Sequence, residues 1–230
     1  MKKTGYAAGA ALASGLLFLL AGCNHRVTDI PAQVQELKPM QQSYRGVLPC
    51  ADCEGIETTL FLDKNGDWVI NRHYQKGIAS ADAVSYGTWA RTADKLVLTD
   101  SKQNKLYFRP DNNGLEALDV HGNPTSPVYR LTAIQQIRPQ ATSVVMKGMY
   151  KYMADVAIIT DCATRRTFLV TDSPQLELGY SASRDASMAP VLVSVKAHFT
   201  LEENSDTGVM RLAIVADENG QFIPGKDCDN

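Results

Sequence analysis

The chain has 230 residues, a hydrophobic content of 44% and a formal net charge of −2 at pH 7, which suits one or two globular domains. The slightly acidic balance argues against binding to a nucleic-acid phosphate backbone. Beyond the amino-terminal segment, the sequence offers no apolar stretch of the roughly 20 residues that a membrane-spanning helix needs.

The amino-terminal segment has the layout of a secretory signal. Lys2 and Lys3 precede an uncharged apolar run, which ends in Leu-Ala-Gly-Cys at residues 20–23. We therefore expect residues 1–22 to be a signal peptide. An ordinary secretory signal with an incidental cysteine is the alternative. The ending resembles the lipobox of bacterial lipoproteins, which implies that Cys23 carries a covalent lipid and becomes the first residue of the mature chain.

The residues after the lipidation site predict a tether. Residues 23–43 contain Pro31, Pro39 and several glutamines but few aromatics, which argues against a packed element. Two or more acyl chains anchor a protein firmly to a bilayer. By resemblance to lipoproteins, Asn24 favours transport to the outer membrane, because an Asp at this position would retain the protein at the inner membrane.

Residues 44–135 are expected to form a first, all-β domain. Short β-prone runs alternate with turns, including the strong hairpin signal Asn65-Gly66. About eight strands in succession predict an up-and-down, lipocalin-like meander that closes into a barrel, since closure removes exposed edges. After a first run from Tyr44, the predicted strands cover residues 57–62, 68–74, 84–91, 95–99, 106–109, 115–118 and 128–131.

Residues 144–230 are expected to form a second β domain. Strands are predicted at 144–152, 157–160, 167–170, 191–201 and 212–216, with a final short run at 222–223. Residues 174–184 predict a helix that Ser173 caps, that Pro174 begins, and that presents Leu176, Leu178 and Tyr180 as apolar surface. Five strands with one helix between the third and the fourth match the OB-fold pattern.

The chain has five cysteines, and the C-x-x-C motif of Cys50 and Cys53 admits four interpretations. A thioredoxin-like site would need a helix amino terminus, which this context does not predict. The others are a Cu(I) site, to which Met40 and His73 could contribute, a disulfide across a tight turn, and free thiols. We favour a disulfide or redox-responsive pair, with copper as the alternative.

The remaining two cysteines, Cys162 and Cys228, both belong to the second domain. Sequence alone allows three pairings among the four non-lipidated cysteines, and this domain assignment favours a bond between them. Such a bond would close a long loop and stabilise the domain by about 4 kcal/mol. A purely structural role and a redox-sensing role are both open.

Signals for an enzyme are weak. The sequence has no G-x-S-x-G, H-E-x-x-H or phosphate-loop motif. His25 lies in the tether, His121 in a turn, and His198 on a strand where packing is the simpler interpretation. We therefore predict that the chain is not an enzyme.

The aromatic residues of the first domain are expected to fill the barrel, or alternatively to line a cavity for a small ligand. They are Trp68, Tyr86, Trp89, Tyr107 and Phe108.

Several stretches resemble the NlpE (CutF) family, a copper homeostasis and adhesion family of envelope lipoproteins. They are 36–40 (ELKPM), 45–57 (RGVLPCADCEGIE), 86–101 (YGTWARTADKLVLTDS), 152–155 (YMAD), 160–164 (TDCAT) and 198–202 (HFTLE). The resemblance extends over nearly the whole mature chain. It implies a lipocalin-like first barrel and an OB-type second domain, with the family's C-x-x-C at Cys50 and Cys53 and its carboxyl-domain disulfide at Cys162 and Cys228.

The resemblance also implies a function and partners. It implies an outer-membrane lipoprotein in the periplasm or partly at the cell surface, and transiently at the inner membrane. There it would activate the Cpx two-component pathway through its sensor kinase, in response to surface contact, failed lipoprotein sorting or redox failure. The implied partners are the lipid bilayer, this kinase, and the disulfide-forming and lipoprotein-sorting machinery. A copper-binding protein and a small-ligand-binding barrel are the alternatives.

Overall fold

The computed structural model describes residues 40–76, 81–185, 188–204 and 207–229. The predicted signal peptide at 1–22, Cys23 and most of the tether at 23–43 lie outside these ranges. No helix in the described ranges is long and apolar enough to cross a bilayer.

The first domain is a closed antiparallel barrel of eight strands, in which each strand pairs with the next and β8 pairs with β1. The predicted mostly-β meander is therefore confirmed. Its first strand begins inside the range predicted for the tether, because Gln42 and Ser43 already pair with β2, and Ser43 pairs with β8 as well. The strands are β1 Gln42–Leu48, β2 Gly55–Leu62, β3 Asp67–Gln75, β4 Ala81–Arg91, β5 Leu96–Asp100, β6 Lys105–Asp111, β7 Gly114–Leu118 and β8 Arg130–Ile134.

Side chains fill the interior of this barrel. The indole of Trp68 lies inside, where its Nε1 donates hydrogen bonds to the carbonyl oxygens of Thr88 and Thr99 at 3.0 and 3.2 Å. The interior of an eight-stranded barrel is just wide enough for side chains to fill it in this way. The other large interior side chains are Tyr44, Leu60, Leu62, Ile70, Leu96, Leu98, Phe108, Leu115 and Leu131.

Tyr107 departs from the prediction that the aromatics fill the barrel, since it is only half-buried and belongs to neither core cluster. Tyr86 departs from it as well. It is buried, but in the cluster formed with the second domain and not in the barrel interior.

The predicted hairpin between β2 and β3 is present. Gly66 has a φ of +92° there, and the Asp63 carboxylate accepts a hydrogen bond from the Asn65 amide at 3.0 Å.

The second domain is the expected OB-type barrel with one helix between its third and fourth strands, and it has a sixth short strand. The long strand β12 pairs with β9 along its first half and with β13 along its second half. The parallel pairing of β11 with β13 completes the closure. The elements are β9 Val144–Met153, β10 Val156–Asp161, β11 Thr167–Thr171, α1 Pro174–Ser183, β12 Val191–Glu203, β13 Met210–Ala216 and β14 Gln221–Ile223.

Two details of the predicted helix are wrong. The Ser173 side chain makes no capping hydrogen bond. Its hydroxyl instead donates to the Thr171 carbonyl and accepts from the Ala216 amide, so it ties the helix start to neighbouring strands. Leu178 is 73% exposed, while Leu176 and Tyr180 are buried, because only the latter two lie on the side that faces the barrel.

The close approach of β4 and β5 gives a test of the first domain. A Cβ on Gly87 would lie 1.9 Å from the Thr99 carbonyl oxygen, so Gly87→Ala forces the strands apart. We expect it to lower the free energy of unfolding by about 1–3 kcal/mol, measured by urea titration. The control is Ala90→Ser at an exposed site on the same strand, and an equal loss in both variants would contradict the packing described.

Candidate functional site

The C-x-x-C motif lies in an exposed loop between β1 and β2. Cys50 and Cys53 form a disulfide with a Cα–Cα distance of 5.3 Å. Strands flank the loop on both sides, so the motif is not at the amino terminus of a helix, which is the setting that lowers the thiol pKa in thioredoxin-like sites.

The structure does not bring the proposed copper ligands together. Met40 precedes β1, whereas Cys50 follows it, so they lie at opposite ends of that strand. His73 pairs across the sheet with Glu57, and its Nδ1 is 2.7 Å from Asp82 Oδ1. Within the described residues there is no group of three or more His, Cys, Asp or Glu side chains arranged to hold a metal. Copper at Cys50 and Cys53 therefore stays a prediction.

The second disulfide joins the tail to a hairpin. Cys162 directly follows β10 and is bonded to Cys228, 66 residues later, with a Cα–Cα distance of 5.2 Å. Beside this bond, Arg165 donates to Asp229 at 2.5 Å, so an exposed ion pair adds a second link between the hairpin and the tail.

The turn of this hairpin, residues 161–166, is organised by one buried carboxyl group and is called the hairpin turn below. Asp161 is 1% exposed. Its Oδ2 accepts hydrogen bonds from the amide and the hydroxyl of Thr164 at 2.8 and 2.7 Å. Arg165 adopts a φ of +60°, which turns the chain back so that Arg166 begins the return to β11.

The hairpin turn contacts the first domain through two polar interactions. The Tyr86 hydroxyl donates to Asp161 Oδ1 at 2.9 Å. Arg166 donates through Nε and Nη2 to the two carboxylate oxygens of Asp67 at 2.6 and 2.8 Å, and through Nη2 to the Asn65 carbonyl at 2.8 Å. The Asp67 side chain is only 8% exposed, and bidentate arginine–carboxylate pairs are among the stronger polar contacts in proteins.

An apolar contact lies next to these polar ones. The Tyr86 ring is 5.2 Å from the Phe199 ring, and Phe199 is 5.4 Å from Phe168 in an edge-to-face arrangement. Phe61 and Val69 are buried in the same cluster, and Val84 packs against it. We call the outer barrel surface formed by Phe61, Val69, Val84 and Tyr86, with Asp67 at its edge, the docking face.

Burial changes the ionisation of two groups near this contact. It raises the pKa of the Tyr86 phenol, and the neighbouring Asp161 carboxyl raises it further. Burial also raises the pKa of the Asp63 carboxyl, although the hydrogen bond from the Asn65 amide opposes this. Asp63 and Asp67 are both buried carboxyl groups at this edge of the barrel, and both interact electrostatically with Arg166.

The segment between the domains also lies across the outer surface of the barrel wall. The Ser43 hydroxyl is 3.2 Å from both the amide and the carbonyl of Arg138, and Gln140 donates to Thr59 at 3.2 Å. On the same outer side of the wall, Asn71 is 4% exposed and its Oδ1 has no hydrogen-bond partner. This unpaired acceptor lowers the stability of the folded protein, since a buried unpaired polar group costs about 1–3 kcal/mol.

A cleft of about 510 Å³ separates residues 137–141 from β12 and β13, and His198 lines it. His198 Nδ1 is 2.5 Å from Asp217 Oδ1, and Ser143 donates to the other oxygen of that carboxylate at 2.5 Å. Asp217 thus links the start of the second domain to β12. These contacts agree with the structural role that the sequence suggested for His198.

Sequence reasoning missed the docking face. Tyr86 was assigned to the barrel interior, and Asp67, Asp161 and Arg166 were not singled out. The signal was present, because residues 60–62 and 68–70 are consecutive apolar runs, and such runs indicate strands that are buried on both faces.

The comparisons with known proteins cover almost the whole of the described chain. Residues 44–127 match the NlpE N-terminal domain, and residues 140–229 match the NlpE C-terminal OB domain. The sequence is 53% identical over 220 residues to the lipoprotein NlpE of Escherichia coli K12, covering 93% of each chain. The crystal structure of the Cpx pathway activator NlpE from Escherichia coli is 51% identical, covers 84% of this chain and 100% of its own, and has a TM-score of 0.40.

The Tyr86 phenol predicts a pH dependence. Its folded-state pKa lies above the ordinary value of 10.0. At a pH just above 10, the folded protein therefore keeps the phenol proton that the unfolded chain has lost. Its contribution to stability is complete below about pH 10 and is lost as the pH rises further. We expect Tyr86→Phe to show a shallower loss of stability above pH 10 than the unsubstituted protein, measured by urea unfolding across pH 8–11. Tyr107→Phe is the control, and equal slopes for Tyr86→Phe and the unsubstituted protein would contradict the prediction.

Proposed function

This chain belongs to the NlpE family of envelope lipoproteins, and on that premise we propose that it is an outer-membrane lipoprotein that activates the Cpx envelope-stress pathway through its sensor kinase. The observation that carries the proposal is the 53% identity to Escherichia coli NlpE over 93% of both chains, together with the description of the NlpE of that organism as a Cpx pathway activator. The chain acts as a signalling protein and not as an enzyme, as its relatives do.

Anchoring sets where the protein signals. Three features of the sequence support the outer membrane: the signal-peptide layout of residues 1–22, the lipobox ending at Cys23, and Asn24 in place of the aspartate that retains lipoproteins at the inner membrane. When lipoprotein sorting fails, the chain accumulates at the inner membrane and reaches the kinase. The stimulus then changes the location of the protein, not its chemistry.

The geometry of the second disulfide supports a redox arm of this function. The Cys162–Cys228 bond fixes the tail against the hairpin turn, and the same turn carries Asp161 and Arg166, which contact Tyr86 and Asp67 of the barrel. Loss of the bond frees the tail and loosens the turn. A cell that fails to form disulfides would therefore produce a protein in which the contact between the domains is weakened.

A reporter for the Cpx pathway tests the redox arm. We expect Cys228→Ser to raise the basal signal in a strain that lacks its own NlpE, with unchanged lipidation and protein level by immunoblot. The matched control is Cys50→Ser, because Cys50 and Cys53 lie at the opposite end of β2 from Asp67. A Cys228→Ser protein that signals no more than the unsubstituted protein would rule out the redox arm.

Copper handling at the first motif is the second candidate function. Cys50 and Cys53 lie in an exposed loop, and reduction of their disulfide would provide two adjacent sulfur ligands, which Cu(I) prefers. We expect the reduced protein to take up about one Cu(I), in line with that preference, and expect Cys50→Ser to abolish the uptake. The measurement is a competition titration with a Cu(I) chelator, with Cys162→Ser as the control. Equal uptake by both variants would reject this site.

A further inference from the structure

We propose that the docking face of the barrel is the surface that binds the sensor, and that the second domain occupies this surface in the resting protein. The inference rests on the proposed function, since the partner is the extracytoplasmic part of the kinase. The binding segment of that partner is assigned by its chemistry: an arginine next to aromatic or large aliphatic side chains.

The chemistry of the docking face selects such a partner. Phe61, Val69 and Tyr86 form an apolar surface, and Asp67 provides a carboxylate that is 8% exposed while paired with an arginine. The buried Asp63 carboxyl lies close enough to interact electrostatically with an arginine in the position of Arg166. A guanidinium matches this combination because it pairs with a carboxylate through two parallel hydrogen bonds and is more weakly hydrated than an ammonium group.

The second domain shows what a matching surface looks like. It presents Arg166 to Asp67 through two hydrogen bonds and Phe199 to the ring of Tyr86. A partner that offers the same pair of groups would occupy the same space. Binding of the partner and docking of the second domain are therefore mutually exclusive, and any change that favours undocking raises the apparent affinity for the partner.

The contact between the domains has the composition of a reversible interface. It combines a compact apolar cluster with an ion pair whose arginine is 38% exposed. The buried Asn71 acceptor on the same side of the wall is unpaired. Interfaces between domains of one chain are more polar than obligate interfaces and open more readily.

Undocking would leave a surface that does not remain bare. Phe61, Val69 and Tyr86 are at most 5% exposed in the resting protein, and they would enter solvent together. Contiguous apolar patches on a protein surface mark sites of partner binding. The Cys162–Cys228 bond supports the hairpin turn and therefore favours the docked state. In this way the bond controls whether a partner can reach the docking face.

The first variant weakens the docking of the second domain but leaves the docking face unchanged. Arg166→Ala deletes the ion pair with Asp67 while both disulfides remain, and we expect the ratio of undocked to docked protein to rise about tenfold, as loss of charge-assisted hydrogen bonds implies. Signal from a Cpx reporter should rise in full-length, lipidated protein. The matched control is Arg130→Ala, which removes the same charge from an ion pair with Asp111 between β8 and β6 of the first barrel.

The second variant changes the docking face. Asp67→Asn also breaks the ion pair, but it removes the carboxylate that the partner's arginine would use. We expect Asp67→Asn to signal no more than the unsubstituted protein, and expect the double variant Arg166→Ala/Asp67→Asn to lose the increase caused by Arg166→Ala. Thermal unfolding of the purified variants verifies that each is folded.

The outcomes separate the inference from the function on which it rests. If Asp67→Asn and the double variant signal as strongly as Arg166→Ala, opening matters but the docking face is not the binding surface, and the inference is overturned. It is also overturned if Arg166→Ala signals no more than Arg130→Ala while Cys228→Ser activates the reporter, a result that leaves the signalling function intact. If neither Arg166→Ala nor Cys228→Ser activates the reporter when protein levels are equal, the redox arm of the function and the assigned partner fail together.

Size-exclusion chromatography provides a further check. If Arg166→Ala elutes as a dimer, the docking face binds the second domain of another copy, and the assigned partner is wrong.

Discussion

Burial of one barrel wall on both of its faces determines how the two domains pack together. Strands β2 and β3 point Leu60, Leu62, Trp68 and Ile70 into the barrel, while other side chains of the same strands point outward into the second domain. A closed barrel satisfies its backbone hydrogen bonds without help, but it cannot cover apolar side chains on its outer surface. The second domain supplies that cover, so the two barrels share one cluster of buried side chains.

The hairpin turn makes this cover sensitive to the state of the second domain. Asp161 binds Thr164 within the turn and Tyr86 across the interface, so the shape of the turn and the contact with the barrel are coupled through one carboxyl group. The bond between Cys162 and Cys228 begins one residue after Asp161. Redox chemistry at an exposed tail is thus placed next to the contact that determines whether the domains stay together.

The sequence predicted those parts of the fold that depend on local patterns. Turn residues such as Asn65-Gly66 and closely spaced β-prone runs indicated the eight-strand meander, and the helix within the second set of strands indicated the OB-type barrel. The sequence also placed Cys162 and Cys228 in the same domain. These features are local because they follow from residue propensity, turn chemistry and strand spacing.

The features that the sequence did not predict arise from tertiary contacts. Tyr86 has the same local pattern whether it faces the interior or the outer wall, since its orientation depends on a partner 75 residues away. Ser173 has the identity of a helix cap, but its hydroxyl binds strand backbone brought close by the fold. The pairing of Arg166 with Asp67 spans 99 residues, and no local signal marks a contact at that separation.

Side-chain footprinting of Tyr86 would show whether the Cys162–Cys228 bond holds the two domains together. The protein would carry Cys50→Ser and Cys53→Ser, so that a reductant acts only on the Cys162–Cys228 bond. Hydroxyl radicals would then label the Tyr86 ring in the oxidised and the reduced states. We expect strong protection of Tyr86 when the bond is intact and clear labelling when it is reduced. Equal protection in both states, with reduction verified by mass spectrometry, would contradict the claim that this disulfide controls the docking of the two domains.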